Sequence, residues 1–202
     1  MEEKPACPAL LCFGGSFNPI HYGHLRCARA VALARGFNSV CLVPSANPPH
    51  KPRQIDLCSA TDRLGMCRVA VEGDSLFEVS DIELKRAGPS YTLDTVLALK
   101  SAGRQDIHWL IGADMLQMLP KWHRAEELVR EATILVMARP GFEFDWALLP
   151  AAFAGLRHNI VEAPLVDISA TEIRRRVRAG LDISELTPPA VVRYIQQRGL
   201  YR

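Results

Sequence analysis

The chain has 202 residues, 49% of them hydrophobic and 23% charged, with a formal net charge of +2. That length suits one domain, 1–202, and can bury a sizeable core without disulfides or a structural metal. So small a charge argues against nucleic acid or an anionic membrane as partner, but leaves room for a local basic site for a phosphate.

Short apolar runs alternate with helix-period segments. "ALLCFGG" (9–15) reads as a buried strand. "LRCARAVALARG" (25–36) reads as a helix closed by Gly36, with Leu25, Ala28, Val31 and Ala32 on one face. "SVCLVPS" (39–45) is a second strand. "SATDRLGMCRVAVEG" (59–73) has a Ser cap and a Gly stop. "FEVSDIEL" (77–84) alternates and suits an edge or antiparallel strand. "SYTLDTVLALKSAG" (90–103) is a helix, as is "AEELVREA" (125–132). "DIHWLIGAD" (106–114), "TILVMARPG" (133–141) and "HNIVEAP" (158–164) are strands. "SATEIRRRVRAG" (169–180) and "PPAVVRYIQQRGL" (188–200) close the chain as helices. This alternation predicts an α/β fold, Rossmann-like and doubly wound, with a mainly parallel sheet and helices on both faces.

Six cysteines (Cys7, Cys12, Cys27, Cys41, Cys58 and Cys67) form no C-x-x-C pair, so core burial is expected rather than zinc. The opening "MEEKPACPALL" lacks a basic segment followed by a long apolar one, and no apolar run reaches the ~18 residues of a membrane helix. A soluble, cytoplasmic protein is expected.

Ligands of open α/β sheets sit beyond the carboxyl ends of the strands. Four polar loops follow predicted strands: "GGSFNPIHYGH", "PSANPPHK", "GADMLQMLPKWH" and "ARPGF". In the first, Gly14 and Gly15 admit an anion to backbone N–H groups, and Ser16 adds a hydroxyl. His21 and His24, at i and i+3 near a helix mouth, can serve one polyphosphate by donating to charge on its oxygens. A metal pair there has no evident third ligand. Near the other end, Ser169 and Glu172 fit a capping box. The helix start also suits phosphate, with Thr171 as donor and Arg174 as a forked clamp. Arg175, Arg176 and Arg178 read as a solvated basic face.

Together these stretches carry a resemblance. "GSFNPIHYGH" resembles the [H/T]-x-G-H signature of the nucleotidyltransferase superfamily, and "ISATEIR" its I-S-x-T-x-x-R motif. "PSANPPHK", "SYTLDT", "IGADMLQMLPKWH", "ARPGF" and "YIQQRGLY" extend the likeness to the bacterial nicotinate-mononucleotide adenylyltransferases. Ser16 stands where that family more often has Thr, and Asn18 where Asp is commoner, so position 18 is expected to shape the loop.

The resemblance implies direct transfer of AMP from ATP, with Mg²⁺, to nicotinate mononucleotide, with both as small-molecule partners. His21, His24 and Arg174 would be catalytic. Gly14, Gly15, Ser16, Phe17, Gly112, Asp114, Arg139, Ile168, Ser169 and Thr171 would hold ATP. His50 and Lys51 would meet the acceptor phosphate, Tyr91 and Thr92 the pyridine carboxylate, and Trp122 would stack on the ring. Sibling chemistry on nicotinamide mononucleotide, phosphopantetheine or a cytidylyl donor stays open at this level, as does a non-catalytic nucleotide sensor.

Overall fold

The computed structural model describes residues 9–49 and 56–202. Its strands are β1 (Leu10–Gly15), β2 (Val40–Pro44), β3 (Phe77–Val79), β4 (Ile107–Gly112), β5 (Thr133–Ala138) and β6 (Ile160–Glu162). They form one sheet in the order β3-β2-β1-β4-β5-β6, and every pairing is parallel. The helices are α1 (Tyr22–Arg35), α2 (Ala60–Ala70), α3 (Thr92–Ser101), α4 (Ala125–Glu131), α5 (Ala170–Arg178) and α6 (Pro189–Arg198). The expected Rossmann-like architecture is the one observed.

Strand alternation divides the core in two. Leu11 and Phe13 of β1 face α1, α2, α5 and α6, packing with Leu42, Val31, Met66, Ile173 and Ile195. Leu10 and Cys12 face the other way, against Leu93, Val96 and Leu128 of α3 and α4. All these side chains are under a tenth exposed. Sheets covered on both faces favour continuous apolar runs, as in "LLCF" and "VCLV". Cys12, Cys41 and Cys67 are buried in these cores as free thiols.

Two sequence expectations are corrected, and one further element joins them. The alternating run 77–84 holds a parallel edge strand of only three residues; the Ser80 N–H makes one more bond to the Leu42 carbonyl, and Leu84 and Lys85 then turn back onto the Asp81 carbonyl. The first helix begins at Tyr22, three residues before the apolar period shows itself, because the Tyr22 N–H has a partner in the Leu186 carbonyl. Residues 151–158 form a 3₁₀ helix, with Phe153 and Leu156 buried three positions apart, the period of that tighter helix.

The C-terminal segment ties down the loop after β1. Thr187 Oγ1 donates to the Ile20 carbonyl at 2.8 Å, and the Tyr201 hydroxyl donates to Asn18 Oδ1 at 2.8 Å. Asn18, 3% exposed, also accepts from the Cys58 N–H at 3.2 Å and donates through Nδ2 to the Asp56 carbonyl at 2.8 Å. An Asp at position 18 would keep both accepted bonds but could not donate to Asp56. Removing the phenol should therefore loosen this loop. Tyr201→Phe is expected to lose about 1–2 kcal/mol in urea unfolding, and an unchanged midpoint would show that the bond contributes nothing.

Candidate active site

The strand order reverses between β1 and β4, so the chain leaves these two neighbours toward opposite faces and a crevice opens beyond their carboxyl ends. Two cavities occupy it. The smaller, about 360 Å³, is walled by Gly14, Gly15, Ser16 and Phe17 from β1 and its loop, by Tyr91 and Thr92 at the start of α3, and by Trp122. The larger, about 810 Å³, is walled by His21, Arg139, Phe142 and Ile168 among others. His24, Gly112, Asp114 and Met137 line both.

Sequence reasoning grouped Gly14–Phe17 with the residues around Arg139 and Ile168. The structure sets them instead against Tyr91, Thr92 and Trp122, across the junction. The glycines also answer a packing need. A Cβ at Gly14 would stand 2.5 Å from Trp109 Cζ2, and one at Gly15 would stand 3.0 Å from the Phe17 ring. Phe17 itself turns the loop with φ at +44°. His50 and Lys51 lie outside the described residues.

The histidines are fixed by α1. His21 is its N-cap and His24 its third residue, so one turn stacks the rings with centroids 3.7 Å apart. The His21 backbone N–H donates to His24 Nδ1 at 3.3 Å. A neutral His24 that accepts at Nδ1 carries its proton on Nε2, so the ring's far edge is a donor. His24 also lies edge-on to Phe17, with centroids 5.1 Å apart, which limits its rotation. His21 is 6% exposed, its Nδ1 has no hydrogen-bond partner, and burial pulls its pKa from 6.5 to about 4. It is neutral at pH 7.

Ser169 caps α5, accepting from the Glu172 N–H at 3.2 Å. The reciprocal half of the expected capping box is absent, because the Glu172 carboxylate turns to Arg175 and Arg176, at 2.7 and 2.9 Å. Two bound guanidiniums hold that carboxyl down at about 2. Arg178 pairs with Asp56. These three arginines form the expected solvent-facing basic surface and make ion pairs on it. Arg174 is 5% exposed; its Nη1 donates to the Asn18 carbonyl at 2.8 Å and its Nη2 to Thr171 Oγ1 at 3.3 Å, leaving Nε unpartnered. Ser169, Thr171 and Arg174 wall neither cavity, although Ile168 beside them walls the larger one.

Three wall residues escaped the sequence reading. His123 stacks on Tyr91 with centroids 4.1 Å apart. Trp109 packs beneath Gly14. Glu83, 4% exposed, accepts from Thr95 Oγ1 at 2.8 Å while burial pushes its pKa up. Glu83 sits in the misread segment 77–84, so its alternation pointed to a strand and not to a site.

A parallel sheet with a glycine loop and paired histidines at its switch point defines a nucleotide-handling α/β protein. A family model described as cytidylyltransferase-like matches residues 12–176. A relative from Herpetosiphon aurantiacus, named probable nicotinate-nucleotide adenylyltransferase, is 41% identical over 191 residues, covering 93% of this chain and 96% of its own. One of the same name from Pectobacterium atrosepticum is 41% identical over 208 residues, covering 94% and 97%. The chain belongs to the nicotinate-nucleotide adenylyltransferase family of nucleotidyltransferases. Among solved structures, the nicotinic acid mononucleotide adenylyltransferase of Plasmodium falciparum complexed with NaAD shares the fold at a TM-score of 0.74, with 19% identity and 96% and 98% of the two chains covered.

His21 makes stability depend on pH. Its folded pKa is depressed, so the unfolded chain takes up the proton first. Its contribution is complete above the unfolded value of about 6.5 and is lost as pH falls toward about 4. Urea unfolding should weaken across that window by up to about 1.4 kcal/mol per pH unit. His21→Asn should flatten the slope; a variant as steep as the parent would assign the effect elsewhere.

Proposed function

We infer that this protein transfers AMP from ATP to nicotinate mononucleotide, forming nicotinate adenine dinucleotide and releasing pyrophosphate. The observation that carries the reading is that two cavities meet at one histidine donor, as a reaction between two phosphates requires. The named relatives at 41% identity supply the substrate pair.

An oxygen of the mononucleotide phosphate attacks the α-phosphorus of ATP. The new P–O bond forms as the α–β bridging bond breaks, and its electron pair leaves on pyrophosphate. A phosphate monoester is already a nucleophile, so the protein must align two anions and offset their charge. His24 donates from Nε2 to the α-phosphate, where charge builds, and His21, stacked behind it, is the second histidine assigned to the same phosphates. Ser169, Thr171 and Arg174 are assigned the β- and γ-phosphates, although Arg174 is turned inward here, onto Asn18 and Thr171. Arg139 and Ile168 wall the adenosine side, and Gly112 and Asp114 face the ribose, whose diol suits a carboxylate acceptor. On the acceptor side, Gly14 to Phe17 offer backbone groups. The N–H groups at the start of α3, near Tyr91 and Thr92, meet the pyridine carboxylate, and Trp122 stacks on the ring. Mg²⁺ arrives as MgATP.

Pyrophosphate release with MgATP and one acceptor at a time tests this. Nicotinate mononucleotide should turn over fastest, with nicotinamide mononucleotide and phosphopantetheine far behind. His24→Ala should lose about 10²–10³ in kcat with its melting temperature kept. Near-full turnover by that variant would remove His24 from the chemistry.

A further inference from the structure

Arg63 is 1% exposed and heads the fully buried side chains by size. It lies in the first turns of α2, near the positive end of the helix, where a cation is disfavoured. No carboxylate within ion-pair distance balances it among the described residues. Its guanidinium instead holds three main-chain carbonyls: Ser16 at 2.8 Å, Ala46 at 3.1 Å and Cys58 at 3.1 Å. Ser16 belongs to the glycine loop. Ala46 belongs to the turn after β2, which is laced to the start of α3 by Asn47 and Ser90, each backbone N–H donating to the other residue. Cys58 belongs to the lead into α2, and its N–H is held by Asn18.

A trans peptide sets its C=O and N–H on opposite edges. Holding the Ser16 carbonyl toward a buried cation therefore turns the Phe17 N–H the other way. Ser16, Phe17 and Ser45 all wall the smaller cavity. A planar fork can reach three separated acceptors; a lysine ammonium is a single point and cannot.

We propose that Arg63 is a positioning residue for the transfer reaction, clamping the glycine loop and the acceptor-side turn into one rigid unit. The proposal rests on the adenylyl-transfer reading above. Misplacement of about 1 Å costs about a hundredfold, so Arg63→Lys should lose about ten- to a hundredfold in kcat and raise KM for both substrates. Leu128→Ala, a cavity in α4 against the opposite face of the sheet, should lower the melting temperature yet keep both constants when assayed well below it. An Arg63→Lys protein that behaves like Leu128→Ala would overturn the proposal; a wild-type protein without turnover would instead overturn the adenylyl-transfer reading. A measurement on the wild type covers the case in which Arg63→Lys does not fold. In hydrogen exchange at rising sub-denaturing urea, peptides spanning 14–18, 45–47 and 57–64 should lose protection together, as one opening unit. If 14–18 opens at lower urea while 57–64 stays closed, Arg63 does not clamp them.

Discussion

The reversal of strand order between β1 and β4 is the constraint on which the rest depends. A parallel neighbour can be reached only by a crossover, and crossovers keep one hand. The chain must therefore cover one face through α1 and α2, then the other through α3 and α4. Loops leaving β1 and β4 part company, and the gap between them is the crevice. The glycine loop, the paired histidines, Gly112 and Asp114 all fall there.

An opened crevice leaves loop carbonyls without strand partners, and buried carbonyls must be satisfied. Here side chains supply the donors. Arg63 takes Ser16, Ala46 and Cys58, Arg174 takes Asn18, and Thr187 takes Ile20. The loop from Ser16 to Tyr22 is thus held at alternate carbonyls by α2, α5 and the segment before α6. A left-handed residue such as Phe17 costs about 1 kcal/mol or more and persists only where neighbours over-determine it. That support comes from residues up to 183 positions away in sequence, the separation of Tyr201 from Asn18.

This distance explains what was legible. Apolar periodicity marks cores, so the strands, the helices and their alternation could be read along the chain. His21 and His24 could be read because their spacing is local, and Ser169 because a cap is local. Arg63 could not. In "SATDRLGMCRVA" it looks like any arginine on a helix, and only the fold brings three carbonyls to it. Nor could His123 be paired with Tyr91, which lies 32 residues away in sequence and stacks on it only through the meeting of two loops. The run "FEVSDIEL" misled because alternation records which side each residue faces, not whether a neighbouring strand exists to pair with. At the sheet edge only β2 is available, and the ladder ends with Ser80.

The charge balance of the loop completes the account. Two guanidiniums are buried against it: Arg63 donates to three carbonyls, and Arg174 to the Asn18 carbonyl and the Thr171 hydroxyl. A carbonyl accepts from a cation without cancelling its charge, and the buried Glu83 acts on Arg63 only from beyond ion-pair distance. At the positive end of α1, likewise, His21 stays neutral and no acidic residue occupies the first turn. Burying unpaired cations costs stability in the free protein. Here that cost is offset by hydrogen bonds that hold the loop in one conformation in advance. The two arginines therefore make physical sense as donors that fix the loop's carbonyls from beneath.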